Sequence, residues 1–204
     1  QSTSTSINIG YRALQVSLPL SGMINKNAKD LNKDHTFDFS INTMNLNGEF
    51  IEASGEIKIW KLKDNPQVFR KKYWNRSDKF LHTLDEWYKE LPGDVYDDEN
   101  EMKNLNEDEQ VFMTKFNTKD NKKLNLSSLK SFDQGYYVAE ITSKDAFGNS
   151  VSNKHFFTVY SHKSKTVPVK TPIIVEALQY SSEPGEEAKF LVGSSLQDVK
   201  MVYQ

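Results

Sequence analysis

Residues 135–160 read GYYVAEITSKDAFGNSVSNKHFFTVY. Two runs rich in β-branched and aromatic residues, 135–142 and 151–160, flank KDAFGNS, in which Asp145, Gly148 and Asn149 are strong turn formers. This pattern predicts a β-hairpin whose loop is longer than the tightest two-residue type. Tyr137, Ala139 and Ile141 share one face of its first strand, with Tyr136, Val138 and Glu140 on the other. Nearly continuous apolar character places the hairpin inside a sheet rather than at its edge.

Upstream, the polar QSTSTS (1–6) reads as a linker, and 7–20 as a long strand with Leu14, Val16, Leu18 and Leu20 on one face. A polar connection (21–34) follows. Residues 35–42 alternate cleanly, with Phe37, Phe39 and Ile41 pointing one way, as a half-buried strand does. LNGEFIEAS (46–54) carries an Asn-Gly turn, and 56–62 puts Ile57 and Ile59 on a core face with Trp60 opposite. Residues 64–110 break this rhythm with charge and aromatics. Within them Thr83 and Glu86 fit a capping box. Leu84, Trp87, Tyr88 and Leu91 then lie on one helical face, and Pro92-Gly93 ends the helix. This is a short amphipathic helix inside a long insertion. Strands are expected again at 109–116 and, briefly, 123–129.

After the hairpin, HKSKTVPVKTP (162–172) lacks apolar periodicity and reads as a linker at a domain boundary. Short strands are expected at 173–180, 188–193 and 199–203. Three such strands cannot close a sandwich of their own. The expected organisation is therefore an all-β antiparallel sandwich over 1–164 with an insertion at 64–110, then the opening strands of a second, incomplete β-domain over 165–204. Gln1 in place of an initiator Met agrees with a fragment or processed chain.

The 204 residues suffice to bury a sizeable core, and 37% hydrophobic with 12% aromatic residues is a globular composition. A formal net charge of −2 supplies no basic excess for phosphates, which argues against nucleic-acid binding. No apolar run approaches the roughly 20 residues that span a bilayer. The absence of cysteine excludes disulfides, thiolate metal sites and cysteine nucleophiles from these residues.

The acidic run Asp94, Asp97, Asp98, Glu99 and Glu101 offers oxygen ligands of the kind calcium takes, but it lacks the EF-hand spacing and central glycine. A solvated loop is the simpler reading, so no metal is assigned. His35, His82, His155 and His162 show no zinc-ligand spacing. No nucleophile elbow, Walker loop or dinucleotide fingerprint occurs. No enzyme and no cofactor is expected. Tyr73, Trp74, Trp87 and Tyr88 form a candidate interaction surface, or else the small core that packs the insertion.

Several stretches together resemble the macroglobulin-like domains of bacterial α2-macroglobulin homologues, particularly those of Bacteroidetes-type envelopes. They are INIGYRAL (7–14), TMNLNGEFIEASGEIKIWKLK (43–63), the insertion segment YWNRSDKF…LDEWYKELPGDVYDDE (73–99), GYYVAEITSKDAFGN (135–149) and EPGEEAKFLVGSSLQDVKMVY (183–203). The resemblance implies a seven-stranded sandwich of fibronectin-III or immunoglobulin-like type. It implies a parent of many modules in the bacterial cell envelope, periplasmic or surface-exposed and often lipid-anchored, that traps proteases. This chain would be a scaffold module, with neighbouring modules as its direct partners and proteases met through the parent. The family's thioester needs a cysteine, so no reactive residue carries over. The alternative, from another class, is a surface adhesion or carbohydrate-binding β-sandwich using the same aromatics.

Overall fold

A computed structural model describes residues 13–70, 79–179, 184–185 and 187–202. Its strands are β1 (Gln15–Ser17), β2 (Met23–Asn25), β3 (Asp38–Ser40), β4 (Asn42–Met44), β5 (Ser54–Leu62), β6 (Glu107–Asn117), β7 (Lys123–Asn125), β8 (Gly135–Lys144), β9 (Ser150–Tyr160), β10 (Ile174–Ala177) and β11 (Phe190–Gly193). Two α-helices, α1 (Ala28–Leu31) and α2 (Leu84–Glu90), and two short 3-10 turns complete the described elements. None of these helices is long and apolar enough to cross a membrane.

The regular structure is mostly strand, in a β-sandwich-like arrangement. One layer is a five-stranded sheet in the order β2-β9-β8-β5-β6. Against it lie β1 paired with β4 and β3 paired with β7, where β3 and β4 continue one another through the buried Ile41. The shared core takes Leu14, Val16, Phe37, Ile41 and Leu124 from this second layer and Ile57, Ile59, Tyr137, Ile141 and Phe157 from the first. Tyr137 stacks between Phe132 and Phe157, with ring centroids 5.4 and 5.6 Å away.

The hairpin sits inside its sheet: β8 pairs with both β5 and β9, and β9 pairs with both β8 and β2. The alternation read at 14–20 is real, since Leu14, Val16, Leu18 and Leu20 are all buried, although the ladder itself covers only 15–17. Residues 7–12 of that expected strand, and the linker read at 1–6, lie outside the described residues. The strand read over 35–42 is divided between two partners, β7 for 38–40 and β1 for 42–44. Within 21–34, read as a plain connection, the chain forms β2 and α1. Three residues are too few for periodicity to register, and β2 is held by parallel pairing to β9, Met23 opposite Thr158 and Asn25 opposite Tyr160. The sheet is thus not wholly antiparallel. The stretch 199–202, expected to be strand, makes no ladder among the described residues. Residues 123–129 contribute a three-residue strand, then a 3-10 turn over Ser127–Ser131.

Two turns share one construction. In Asn45–Glu49 and in Asp145–Asn149 the first residue's N–H donates to the fifth residue's carbonyl (2.8 and 2.9 Å), and the glycine N–H donates to the first carbonyl (3.0 Å in both). The first side chain accepts from the N–H groups of the third and fifth residues, at 2.9 and 2.9 Å for Asn45 and at 3.0 and 2.8 Å for Asp145. Gly48 and Gly148 both have φ +83°, a backbone region costly for any side chain. This is why N-L-N-G and D-A-F-G-N read as turns.

Gly55 answers to a different constraint. A Cβ there would stand 1.9 Å from the Thr142 carbonyl oxygen of the neighbouring strand. Gly55→Ala is therefore expected to force β5 from β8 and to lower stability by about 3 kcal/mol, the upper range of overpacking, in urea unfolding. A loss below about 1 kcal/mol would mean that the strands part easily at this point.

The Asp145 turn also carries a pH dependence. Burial pushes its carboxyl up, but the Asn149 side chain and the N–H groups of Asn149, Phe147 and Ala13 outweigh this and hold it below its ordinary value. A carboxylate depressed in the folded state stabilises above its unfolded pKa of about 3.9 and loses that contribution as pH falls through the folded value. Asp145→Asn, which installs the residue Asn45 already uses, is expected to narrow the gap in melting temperature between about pH 7 and about pH 3. An unchanged gap would remove the carboxylate's charge from the account.

Candidate functional site

The sequence candidates fall in the segment between the end of β5 at Leu62 and the start of β6 at Glu107. Its organising element is α2. Thr83 caps the helix: its hydroxyl accepts from Glu86 N–H at 3.4 Å while Glu86 Oε2 accepts from Thr83 N–H at 2.8 Å. These bonds hold the Glu86 carboxyl below its usual value, the Thr83 N–H first among the causes. The helix closes at Leu91, whose N–H reaches the Trp87 carbonyl at 2.7 Å.

The helical face read from the sequence is only partly used. Trp87, Tyr88 and Leu91 are half-buried, while Leu84 stays exposed. The indole N–H of Trp87 donates to the Asp94 carbonyl at 3.0 Å, and its ring meets Tyr96 edge-on with centroids 6.0 Å apart. Tyr96 stacks on Phe80 at 4.4 Å and donates its hydroxyl to the His82 carbonyl at 2.7 Å. Phe69, which is buried, lies 6.2 Å from the Tyr88 ring. Trp87, with Tyr96 and Phe80, and Tyr88, with Phe69, thus form two aromatic contacts that fasten the arms of the segment to each other. Tyr73 and Trp74 lie outside the described residues.

Asp94, Asp98, Glu99 and Glu101 are committed to the loop's own backbone, its Tyr88 hydroxyl and its cations. Asp94, 7% exposed, accepts from Arg70 Nε at 2.8 Å. Glu99 accepts the Tyr88 hydroxyl together with the N–H groups of Tyr96 (2.7 Å) and Asp97 (2.8 Å). Burial pushes the Glu99 carboxyl up, but the Tyr88 hydroxyl and the loop N–H groups outweigh it and hold it low. Burial and the same pair push the Tyr88 phenol well above its ordinary range. Asp98 and Glu101 share Lys103, at 3.7 and 2.7 Å. Asp94, Asp98 and Glu99 thus face different partners rather than one point. Among the described residues no three histidine, aspartate or glutamate groups come together as a metal site would need.

The histidines are dispersed. His35 packs edge-on against Phe37, His82 lies near Trp87, His155 sits on β9, and His162 meets the Asn25 side chain at 2.9 Å. Sequence reasoning missed Phe69 and Tyr96 as partners of α2, and Val95 as a buried residue of the loop after it. Val95 and Tyr96 sit inside the acidic run, where they were the only signal of an inward-facing loop. Compared with protein-family models, with curated proteins and with solved structures, the chain returned no match.

Packing is what this arrangement does, and the magnitudes can be checked. Since Trp87 is half-buried, Trp87→Ala is expected to cost about 2 kcal/mol, below the roughly 3–5 kcal/mol of a fully buried aromatic. Trp87→Phe, which keeps the ring and loses the bond to Asp94, is expected to cost about 1 kcal/mol. Equal melting temperatures for wild type and Trp87→Ala would leave the indole free for another role.

Proposed function

We propose that the chain is a scaffold module, with no chemistry of its own, of an α2-macroglobulin-like protease-trapping protein of the bacterial cell envelope. The observation that carries the modular part is the hairpin of β10 and β11. These strands pair with each other and, among the described residues, with no other strand. Val175 and Val192 face each other across the pair and, with Phe190 opposite Ala177, leave an apolar face in water: Val175 is 57% exposed and Phe190 60%. An apolar sheet face of this kind belongs against a second layer. A following β-domain whose first strands these are would supply it.

The strand order supports a sandwich of immunoglobulin or fibronectin-III type. The opening segment pairs with β4 in one layer through β1, then crosses to pair with the final strand β9 in the other through β2. The two matching turns, N-L-N-G and D-A-F-G-N, fall within two of the stretches that carry the family resemblance, and here they serve architecture. In this reading the partners are neighbouring modules of the same chain, and proteases are met only through the whole parent.

The test is a protease challenge of the full-length parent, assaying the protease afterwards on a large and a small substrate. Trapping predicts limited cleavage, loss of activity on the large substrate and retention on the small one. Unaltered activity on both would withdraw the inhibitor reading and leave a β-sandwich of another purpose.

A further inference from the structure

The segment from Ser161 to Thr171, whose composition reads as a loose linker, is bonded along its length to elements on either side. At its start, the Gln134 side chain just before β8 spans it from both ends of the amide: Oε1 accepts from Ser161 N–H at 2.8 Å, and Nε2 donates to Ser164 Oγ at 2.9 Å. Ser164 Oγ also ties to Thr166, accepting its N–H at 3.1 Å and donating to its carbonyl at 3.0 Å. Ser161 Oγ donates to Asn27 at 2.6 Å, His162 meets Asn25, and Lys163 pairs with Asp30 at 2.9 Å.

Further along, Val169 is buried. The N–H of Lys170 donates to both Asp64 oxygens at 3.3 Å, and its ammonium donates to the Pro66 carbonyl at 2.8 Å. The far end is bonded to the C-terminal hairpin. Thr171 N–H donates to Ser195 Oγ at 2.7 Å, while Ser195 N–H and hydroxyl donate back to the Thr171 carbonyl at 3.0 and 2.6 Å. Val167 lies so close to β11 that a Cβ on Gly193 would stand 2.7 Å from its Cγ1. Elsewhere the sandwich and the hairpin face each other across a hollow of about 580 Å³, lined by Met23, Ala28 and Leu31 on one side and Ala177, Leu178 and Lys189 on the other. The connection, more than direct packing, holds them in place.

We infer that residues 161–171 are a rigid elbow that sets the hairpin at one angle to the sandwich, with Gln134 and Asp64 as the main fasteners on the sandwich side, beside the bonds to Asn25, Asn27 and Asp30. Gln134 uses both arms of its planar amide on two different groups, so rotation of the connection there breaks two bonds at once, while the two Asp64 oxygens share the single Lys170 N–H. The angle then belongs to this chain and stands whether or not the hairpin opens a further module or the parent traps proteases.

The chain contains no cysteine, so two introduced ones are unique labelling sites. Spin labels at Ser152→Cys on β9 and Val175→Cys on β10, both exposed, report the distance between the two parts. A single narrow distance distribution is expected. Adding Gln134→Ala and Asp64→Ala together is expected to widen it at least about twofold, with the melting transition of the sandwich retained. If the double variant does not fold, each single variant is measured in its place, with a smaller widening expected. A broad distribution without the alanine substitutions would overturn the elbow. A distribution that stays narrow in the alanine variants would overturn the assignment of Gln134 and Asp64 as its main fasteners.

Discussion

Strand β8 must be covered on both faces, and much of the molecule follows from that. Its inner face buries Tyr137, Ala139 and Ile141 against the second layer, as in any sandwich. Its outer face buries Val138 just as fully, at 1% exposure, although that side chain stands outside the main core. In the sheet Val138 is flanked by Trp60 and Phe156, large side chains that shield it from the sides. Leu62, at the end of β5, is buried too, as are Phe69 and Val95 in the long insertion and Val169 in the connection. The rest of β8's outer face, Tyr136, Glu140 and Thr142, is half-buried. The insertion and the connection are therefore parts of the packing, however much their charge and prolines suggest solvent-exposed loops.

This explains which features were legible in the sequence. The hairpin, the core face of β5 and the capped helix α2 were readable because each repeats a local rule over several residues: alternation, period, cap. Where pairing partners change within a few residues, the rule fails. The apolar alternation of 35–42 gave no sign that Asp38–Ser40 and Asn42–Met44 serve different neighbours. Nothing in Met23-Ile24-Asn25 announces a strand, since the order comes from β9. The run 199–202 has suitable residues for a strand but no ladder to join among the described residues. Local propensity is a weak prior where no partner is at hand.

The candidate site was legible in composition and not in direction. Trp87 and Tyr88 were visible as aromatics at helical spacing. Their inward orientation depends on Asp94, Tyr96 and Glu99, three-dimensional neighbours brought round by the turn after Pro92-Gly93. The acidic run offered oxygen ligands but read more simply as a solvated loop, and the carboxylates of Asp94, Asp98, Glu99 and Glu101 are aimed at Arg70, at Lys103 and at the loop's own N–H groups. Gln134 and Asp64 carried no signal at all, being single polar residues whose roles arise from contacts 27 and 106 positions away.

The parallel alignment of β2 with β9 has a mechanical consequence. Besides the three paired residues, the ladder is extended by Thr158 N–H to the Gly22 carbonyl and by Lys26 N–H to the Tyr160 carbonyl, both at 2.8 Å. Tension entering before Met23 and leaving after Tyr160 would pull these two strands in opposite directions along their length. The bonds joining them would then bear the load together, in shear, where an antiparallel pair pulled from one end would open one bond at a time. For tension applied in this way, the short β2–β9 ladder is where the load is carried.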